Sequence, residues 1–410
     1  MSNPHLPPEI IDSIVDHLHD NSNALKESCL VSKSWVPRTR KHLFAEIKLD
    51  TEADLTSWKE MFPDPSTSPA HHTETLHVGC LHVVTVADAE ASDWIRGFSR
   101  VVNLKLDALQ TYFEGAEIFL VPFHRLSPTV KSLYVDLTVL PPSRIFNLVL
   151  SFPLLEDLIL VGNDTSIPIH NGDGSDGFPT TIQLTNSPAL TGSLELQLGG
   201  RIGPIVPRLL SLPGGIRFRN LNLTLCREED HSLVNALLEG CSYTLESLNI
   251  SHDLDCTSID IHAHTDTLLL FPARSEATPI DLSKATRLKG VTFGIGSWSV
   301  EWVTVALRTI TPEHQDLRQI SIHETHCSRF VERGAEVRRL IGVRTARLWS
   351  ELDHFLVQLW ESRSIRPKML YGAFPGKERA VRDLTGYFLP EITRRGIVDL
   401  VGVRHVGGWG

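Results

Sequence analysis

The residues best equipped for chemistry are a few histidines, six cysteines and one acidic glycine-rich run. His323-Glu324-Thr325-His326 places a carboxylate between two imidazoles. A zinc-hydrolase helix needs His-Glu-x-x-His so that both rings share a face, and here one intervening residue is missing. His262 and His264 could share one side of a strand, and Cys327 is close in the chain to His323 and His326, yet no second cluster stands at metal-ligand spacing. The run from Asn171 to Gly177 fails as a calcium loop: its sixth position is Asp176 rather than glycine and its twelfth is Ile182 rather than glutamate. Neither the Gly-x-Ser-x-Gly turn of a serine nucleophile nor the Gly-x-x-x-x-Gly-Lys-Ser/Thr phosphate loop occurs. The expectation is a chain that catalyses nothing itself and holds no cofactor or metal.

What must be positioned is then a surface. The chain has 410 residues, 41% hydrophobic and 21% charged, enough for a sizeable core. The first twenty residues carry Glu9, Asp12, Asp16 and Asp20 and do not read as a secretory signal. The longest tight apolar cluster, Leu268 to Phe271, is far short of the roughly 20 residues of a membrane helix. No Cys-x-x-Cys pair occurs, so reduced thiols in the cytoplasm or nucleus are expected, with no membrane partner. The net charge of −10 is uneven: residues 1–50 carry −1, residues 329–410 carry +6 and the middle carries −15. An acidic body does not attract nucleic acid, which is excluded as a partner.

At the N-terminus, Pro7 and Pro8 precede Glu9, and Ile10, Ile11, Ile14, Val15 and Leu18 form one helical stripe. His19 to Ser22 are turn-prone. Asn23 is placed to cap a second helix carrying Leu25, Cys29 and Leu30, and Ser32 or Ser34 to start a third with Trp35 on its inner side.

Leu6-Pro7-x-Glu9-Ile10-Ile11-x-x-Ile14-x-x-x-Leu18, then Ala24-Leu25, Cys29 to Trp35 and Leu43-Phe44, resemble the F-box family in its fungal form. The likeness covers about a tenth of the chain, and the turn from His19 to Asn23 is longer than the family pattern. It implies docking onto a helical Skp-type adaptor and, through it, a cullin. Leu6, Pro7, Ile10, Ile11, Ile14, Leu18, Leu25, Val31 and Trp35 would divide between a minimal core and that interface.

Beyond residue 45 an apolar-x-x-apolar-x-apolar pattern recurs. Its middle residues are Ile47, Leu76, Leu104, Leu133, Leu158, Leu194, Leu221, Leu248, Val291 and Ile320, and most steps between them are 25–29 residues. That period resembles the leucine-rich repeat, in which each unit supplies a strand and a return segment and buries its apolar side only by stacking. The longer steps hold expected surface loops, residues 163–186 and 252–285. Helical returns are expected from the capping-box start at Thr51, from Pro142 to Phe152 and from Asp230 to Leu238. Near the end, Leu348, Trp349, Leu352, Phe355, Leu356, Leu359 and Trp360 mark a helix. Lys368 to Tyr371 mark a strand, Glu378 to Thr393 a helix and Ile397 to Val401 a last strand.

The expected fold is therefore α/β: an F-box of three helices in residues 1–45, a leucine-rich-repeat solenoid in 46–328 with parallel strands on one face and helices or irregular returns on the other, and an atypical closing region in 329–410. The expected function is that of a substrate-recognition subunit of an SCF-type ubiquitin ligase, or alternatively an F-box scaffold outside a ligase. Outward strand positions would meet the target protein, with Asp157, Glu195, Asn222 and Asn249 foremost and Lys105, Ser132, Thr292 and Ser321 beside them.

Overall fold

The computed structural model describes residues 6–79, 93–107, 122–136, 142–162, 189–198, 202–203, 205–225, 230–252, 278–295, 300–324, 346–372 and 378–403. The chain divides into two compact units, Met1–Pro188 and Ala189–Gly410. Both are α/β with parallel strands.

The first unit opens with three helices, α1 (Pro8–His17), α2 (Ser22–Val31) and α3 (Val36–Leu43). Five strands follow: β1 (Glu46–Leu49), β2 (Thr75–Val78), β3 (Asn103–Leu106), β4 (Ser132–Asp136) and β5 (Asp157–Gly162). Each pairs in parallel with the next in sequence. Parallel neighbours need a return segment. Here the returns include α4 (Glu52–Met61), 3-10 turns at Pro69–His72 and Asp93–Gly97, and α5 (Pro142–Leu150). The start of α4 is fixed by a capping box: the Thr51 amide donates to Asp54 Oδ2 at 2.9 Å and the Asp54 amide to Thr51 Oγ1 at 3.2 Å.

Among the described residues the second unit has seven strands: β6 (Leu190–Leu198), β7 (Ile216–Leu225), β8 (Ser247–His252), β9 (Gly290–Ile295), β10 (Gln319–Glu324), β11 (Pro367–Gly372) and β12 (Asp399–Val403). They too pair in parallel and in chain order. Helices α6 (Ile205–Leu210), α7 (His231–Gly240), α8 (Val300–Arg308), α9 (346–363), α10 (Glu378–Phe388) and α11 (Pro390–Arg394) lie between them in sequence. No helix among the described residues is long and apolar enough to cross a membrane.

The pattern that recurs in sequence is the core in space. Ile47, Leu76, Leu104, Leu133 and Leu158 are cross-strand partners in one row, and Leu194, Leu221, Leu248, Val291 and Ile320 in another. Two residues further along each strand a second row runs through Leu49, Val78, Leu106, Val135 and Leu160, and through Leu196, Leu223, Ile250, Phe293, Ile322 and Met369. All of these side chains are buried. Phe98, Phe123 and Phe152 close the first unit's core from the return side.

Entry into successive strands is set by a repeated fork in which one carbonyl accepts two amides from the next repeat. The Ala45 carbonyl takes Glu74 and Thr75, that of Glu74 takes Val102 and Asn103, and that of Lys131 takes Glu156 and Asp157, all at 2.7–3.0 Å. In the second unit the carbonyl of Glu246 takes Lys289 and Gly290 in the same way. These forks satisfy backbone groups that would otherwise be orphaned where a loop meets a strand.

Some expected boundaries shift. The second helix is capped by Asn21, whose Oδ1 accepts from the Ala24 amide at 3.0 Å, and not by Asn23, which lies inside the helix. The third helix starts at Val36: Ser32 Oγ accepts from the Ser34 amide in a local turn, and Pro37 occupies the first helical turn, where its missing N–H costs nothing. The expected helix from Glu378 to Thr393 is two helices, because Leu389, the residue before Pro390, leaves the helical conformation at φ −125° and ψ 64°. The last strand lies two residues later than expected. The glycine-rich run 171–177, the rest of 163–186, residues 253–277 of the second expected loop, His262, His264, His326 and Cys327 lie outside the described residues.

Leu133 sits in the middle of its row, fully buried between Leu104 and Leu158. Leu133→Ala is expected to lower stability by ~2–5 kcal/mol in urea unfolding, whereas Leu154→Ala, at an exposed site, should stay within about 0.5 kcal/mol of wild type. Equal effects would place the core elsewhere.

Candidate protein-docking surfaces

Two surfaces stand out, one on the three-helix module and one on the strands. The module is held together by few groups. Val15 from α1, Leu25 and Ser28 from α2 and Thr39 from α3 are buried. The Ser28 hydroxyl donates to the Ala24 carbonyl at 2.7 Å and the Thr39 hydroxyl to the Trp35 carbonyl at 2.8 Å, so both polar groups are satisfied inside their own helices. An ionic clamp ties α1 to α3: Asp16 accepts from Arg38 Nε at 2.6 Å, from Arg38 Nη2 and from His42 Nε2 at 2.7 Å. The fork of Arg38, and after it His42, hold the Asp16 carboxyl well below the usual carboxylate range.

The apolar residues not used in that core face outward. Leu6 is 53% exposed, Ile10 48% and Ile14 38%, and at the end of α2 Leu30 is 86% and Val31 66% exposed. Ile10 and Ile14 are one helical turn apart, so they share a face. Scattered exposed leucines are ordinary, but five large apolar side chains on a module of about forty residues are not. Pro7 is exposed at the N-cap of α1, while Ile11, Leu18 and Trp35 are half-buried. Leu25 is 1% exposed, which removes it from the expected interface: it belongs to the core and no partner can reach it. Leu30 is the most exposed apolar residue of the module and was not among the expected interface residues. Its signal was present, since it directly follows Cys29 on a helix whose packed side is set by Leu25 and Ser28.

On the strands of the first unit, the outward row Lys48, His77, Lys105 and Tyr134 is in register. His77 bridges two carboxylates, with Nε2 2.7 Å from Asp107 Oδ2 and Nδ1 3.2 Å from Asp50 Oδ1. Lys105 Nζ is 2.9 Å from the same Asp107 oxygen and 4.9 Å from the centre of the Tyr134 ring. This network joins three strands and is well packed, His77 being only 15% exposed in its side chain. Sequence reasoning missed it, although the position after the second apolar residue is aspartate in three of the first four repeats: Asp50, Asp107 and Asp136. The fourth is Gly79, where a Cβ would come within 3.2 Å of the Asp50 backbone.

In the second unit the outward row is uncharged from β7 to β10, through Asn222, Asn249, Thr292 and Ser321, between Glu195 on β6 and Lys368 on β11. Asn249 Nδ2 donates to Asn222 Oδ1 at 2.9 Å, and Asn220 Nδ2 to Ser193 Oγ at 3.0 Å. Of the expected target contacts, Glu195, Asn222 and Asn249 are neighbours on β6, β7 and β8, and Asp157 lies in the first unit. Glu195 accepts from Gln197, while Lys105, Ser132 and Thr292 are half-buried on outward positions. Ser321 is a correction: it is 0% exposed, with Gln319 Nε2 donating to its hydroxyl at 2.9 Å, so it cannot meet a partner.

Chemistry-bearing groups remain dispersed. No three histidines, cysteines or acids among the described residues are arranged to hold a metal ion. Burial pushes the Cys241 thiol up to about 11, which leaves it protonated and unreactive at neutral pH.

The Asp16 clamp gives a test with a definite sign. A carboxylate whose pKa is depressed by folding stabilises the fold at pH values above its unfolded pKa, about 3.9, and loses that contribution as pH falls toward the folded value. Asp16→Asn is therefore expected to lower the melting temperature of the module at pH 7, followed by helical circular dichroism. The gap to wild type should close only as the pH is taken to 4 and below. A gap that widens in acid would contradict the clamp.

Set against family models and against curated proteins, the chain matches none.

Proposed function

We propose that the chain is the substrate-recognition subunit of an SCF-type ubiquitin ligase, with the three-helix module as an F-box and the parallel-strand body as leucine-rich repeats. The observation that carries this reading is the division of labour within the module. Val15, Leu25 and Thr39 fill a minimal core, while Leu6, Ile10, Ile14, Leu30 and Val31, all within the F-box-like segment, stay exposed. An apolar face of this kind supports docking of a helical adaptor, where a few large side chains supply most of the binding energy. Repeat steps of 25 to 29 residues, with one strand per repeat, support the reading of the body.

In this account the chain performs no covalent step. The adaptor connects it to a cullin, and the outward strand residues, among them Asp157, Glu195, Asn222 and Asn249, hold a target protein near the charged ubiquitin-conjugating enzyme. Acceleration comes from raised effective concentration of the target lysine, which proximity alone can supply.

Leu6→Asp combined with Ile10→Asp is expected to abolish capture of a Skp-type adaptor in a pull-down with the full chain, since carboxylates would be buried without partners. The melting temperature should hardly change, because both residues are exposed. Undiminished adaptor capture by the double variant sinks the F-box reading. Adaptor capture without co-purifying cullin instead favours a scaffold outside the ligase.

A further inference from the structure

The last strand, β12, ends the second unit, and among the described residues it has a strand partner only on its β11 side. No described strand pairs with its other edge, and proteins ordinarily cover or blunt such an edge. The core row also stops there. Leu400 continues the row of Ile322 and Met369, but with no further strand over it, it is half-buried, and Val401 is exposed.

Beside this edge runs an open groove of about 560 Å³, lined by Arg382 of α10, Thr393 of α11 and Val398, Asp399, Leu400 and Val401. Two of its polar groups have no partner among the described residues. Thr393 Oγ1 is buried and has no hydrogen-bond partner among the described residues, a condition that costs stability unless a ligand supplies the partner. Arg382 is exposed and makes no ion pair with any described residue. Asp399 is engaged by Arg366, whose Nε lies 3.0 Å from Asp399 Oδ1 and whose Nη2 donates to the Gly396 carbonyl. Arg382 is therefore open to an anion that enters the groove.

We propose that this edge and groove bind an extended acidic segment of a partner protein as an added strand. The backbone of β12 would supply the main-chain hydrogen bonds of strand addition. Leu400 and Val398 would receive one aliphatic side chain, and Arg382 would pair with a neighbouring carboxylate. Charge selects this occupant over the chain's own last seven residues, Arg404 to Gly410, which contain Arg404 and no acidic residue. It also selects against a second copy of β12, whose single acid, Asp399, is already paired. The site is separate from the adaptor surface and does not depend on that assignment.

The test is to pan a phage-displayed library of random octapeptides against the full chain and measure the best synthetic peptide by fluorescence anisotropy. The expected selection is for peptides with an acidic residue one or two positions from an aliphatic one. Their affinity should fall at least about tenfold with Arg382→Glu and about threefold with Thr393→Val. Thr393→Val should keep or raise the melting temperature, because it removes the unmatched hydroxyl, so a binding loss in that variant is not a folding loss. The Leu6→Asp, Ile10→Asp variant should bind the peptide like wild type. The proposal is overturned by selected peptides that lack the acidic and aliphatic pair, or that bind Arg382→Glu as tightly as wild type. It is equally overturned if peptides bind only after deletion of residues 404–410, which makes the chain's own end the occupant, or if the chain dimerises in sedimentation in a way that Arg382→Glu abolishes.

Discussion

A parallel strand followed by a return segment cannot bury its own apolar side chains, and everything in this protein follows from the lateral stacking that does it for them. Each repeat contributes two apolar residues to rows that run across the strands, so Leu104 is buried because Leu76 and Leu133 flank it, and so on along each unit. The forked carbonyls make the stacking specific in register, since a slip by one residue would break both amide contacts and turn every apolar side chain outward. Stability in such an array is a sum of neighbour terms. The strand side chains that face away from the core are then free to differ from repeat to repeat without loss of fold.

That freedom is used differently in the two units. In the first, the outward face is charged and internally matched: His77, Lys105, Asp50 and Asp107 contact one another and tie the row together. In the second, amides and hydroxyls bond to each other in neutral pairs such as Asn222 with Asn249. Both patterns tie neighbouring strands together through side chains that lie outside the core. The three-helix module differs: its core is too small to cover its own apolar residues, and Leu6, Ile10, Ile14, Leu30 and Val31 stay exposed.

The rows of the core were legible in the sequence because the same apolar pattern returns at nearly constant spacing, and each of the ten middle residues read from it lies in register with its neighbours within a unit. Local signals were legible where chemistry is local: the Thr51 and Asp54 capping box depends on residues three apart. What escaped was set by tertiary neighbours. Leu25 and Leu30 are five positions apart on one helix, and only the packing of α2 against α3 makes one core and the other surface. Ser321 has an outward position by alternation yet is buried under Gln319. The His77 network joins groups 27 to 30 residues apart, which meet only once β1, β2 and β3 are aligned. The break at Leu389 shows the reverse case, a proline whose local veto was overlooked in favour of a longer helical stripe.

The central claim, that the exposed apolar face of the first three helices is an adaptor-docking surface, is tested most directly by hydrogen exchange on the full chain with and without a purified Skp-type adaptor. The account predicts slowed exchange in peptides covering residues 6–18 and 26–35, with unchanged exchange across the strands from 190 to 252. Protection confined to the strands, or none in the first three helices at saturating adaptor, would contradict it.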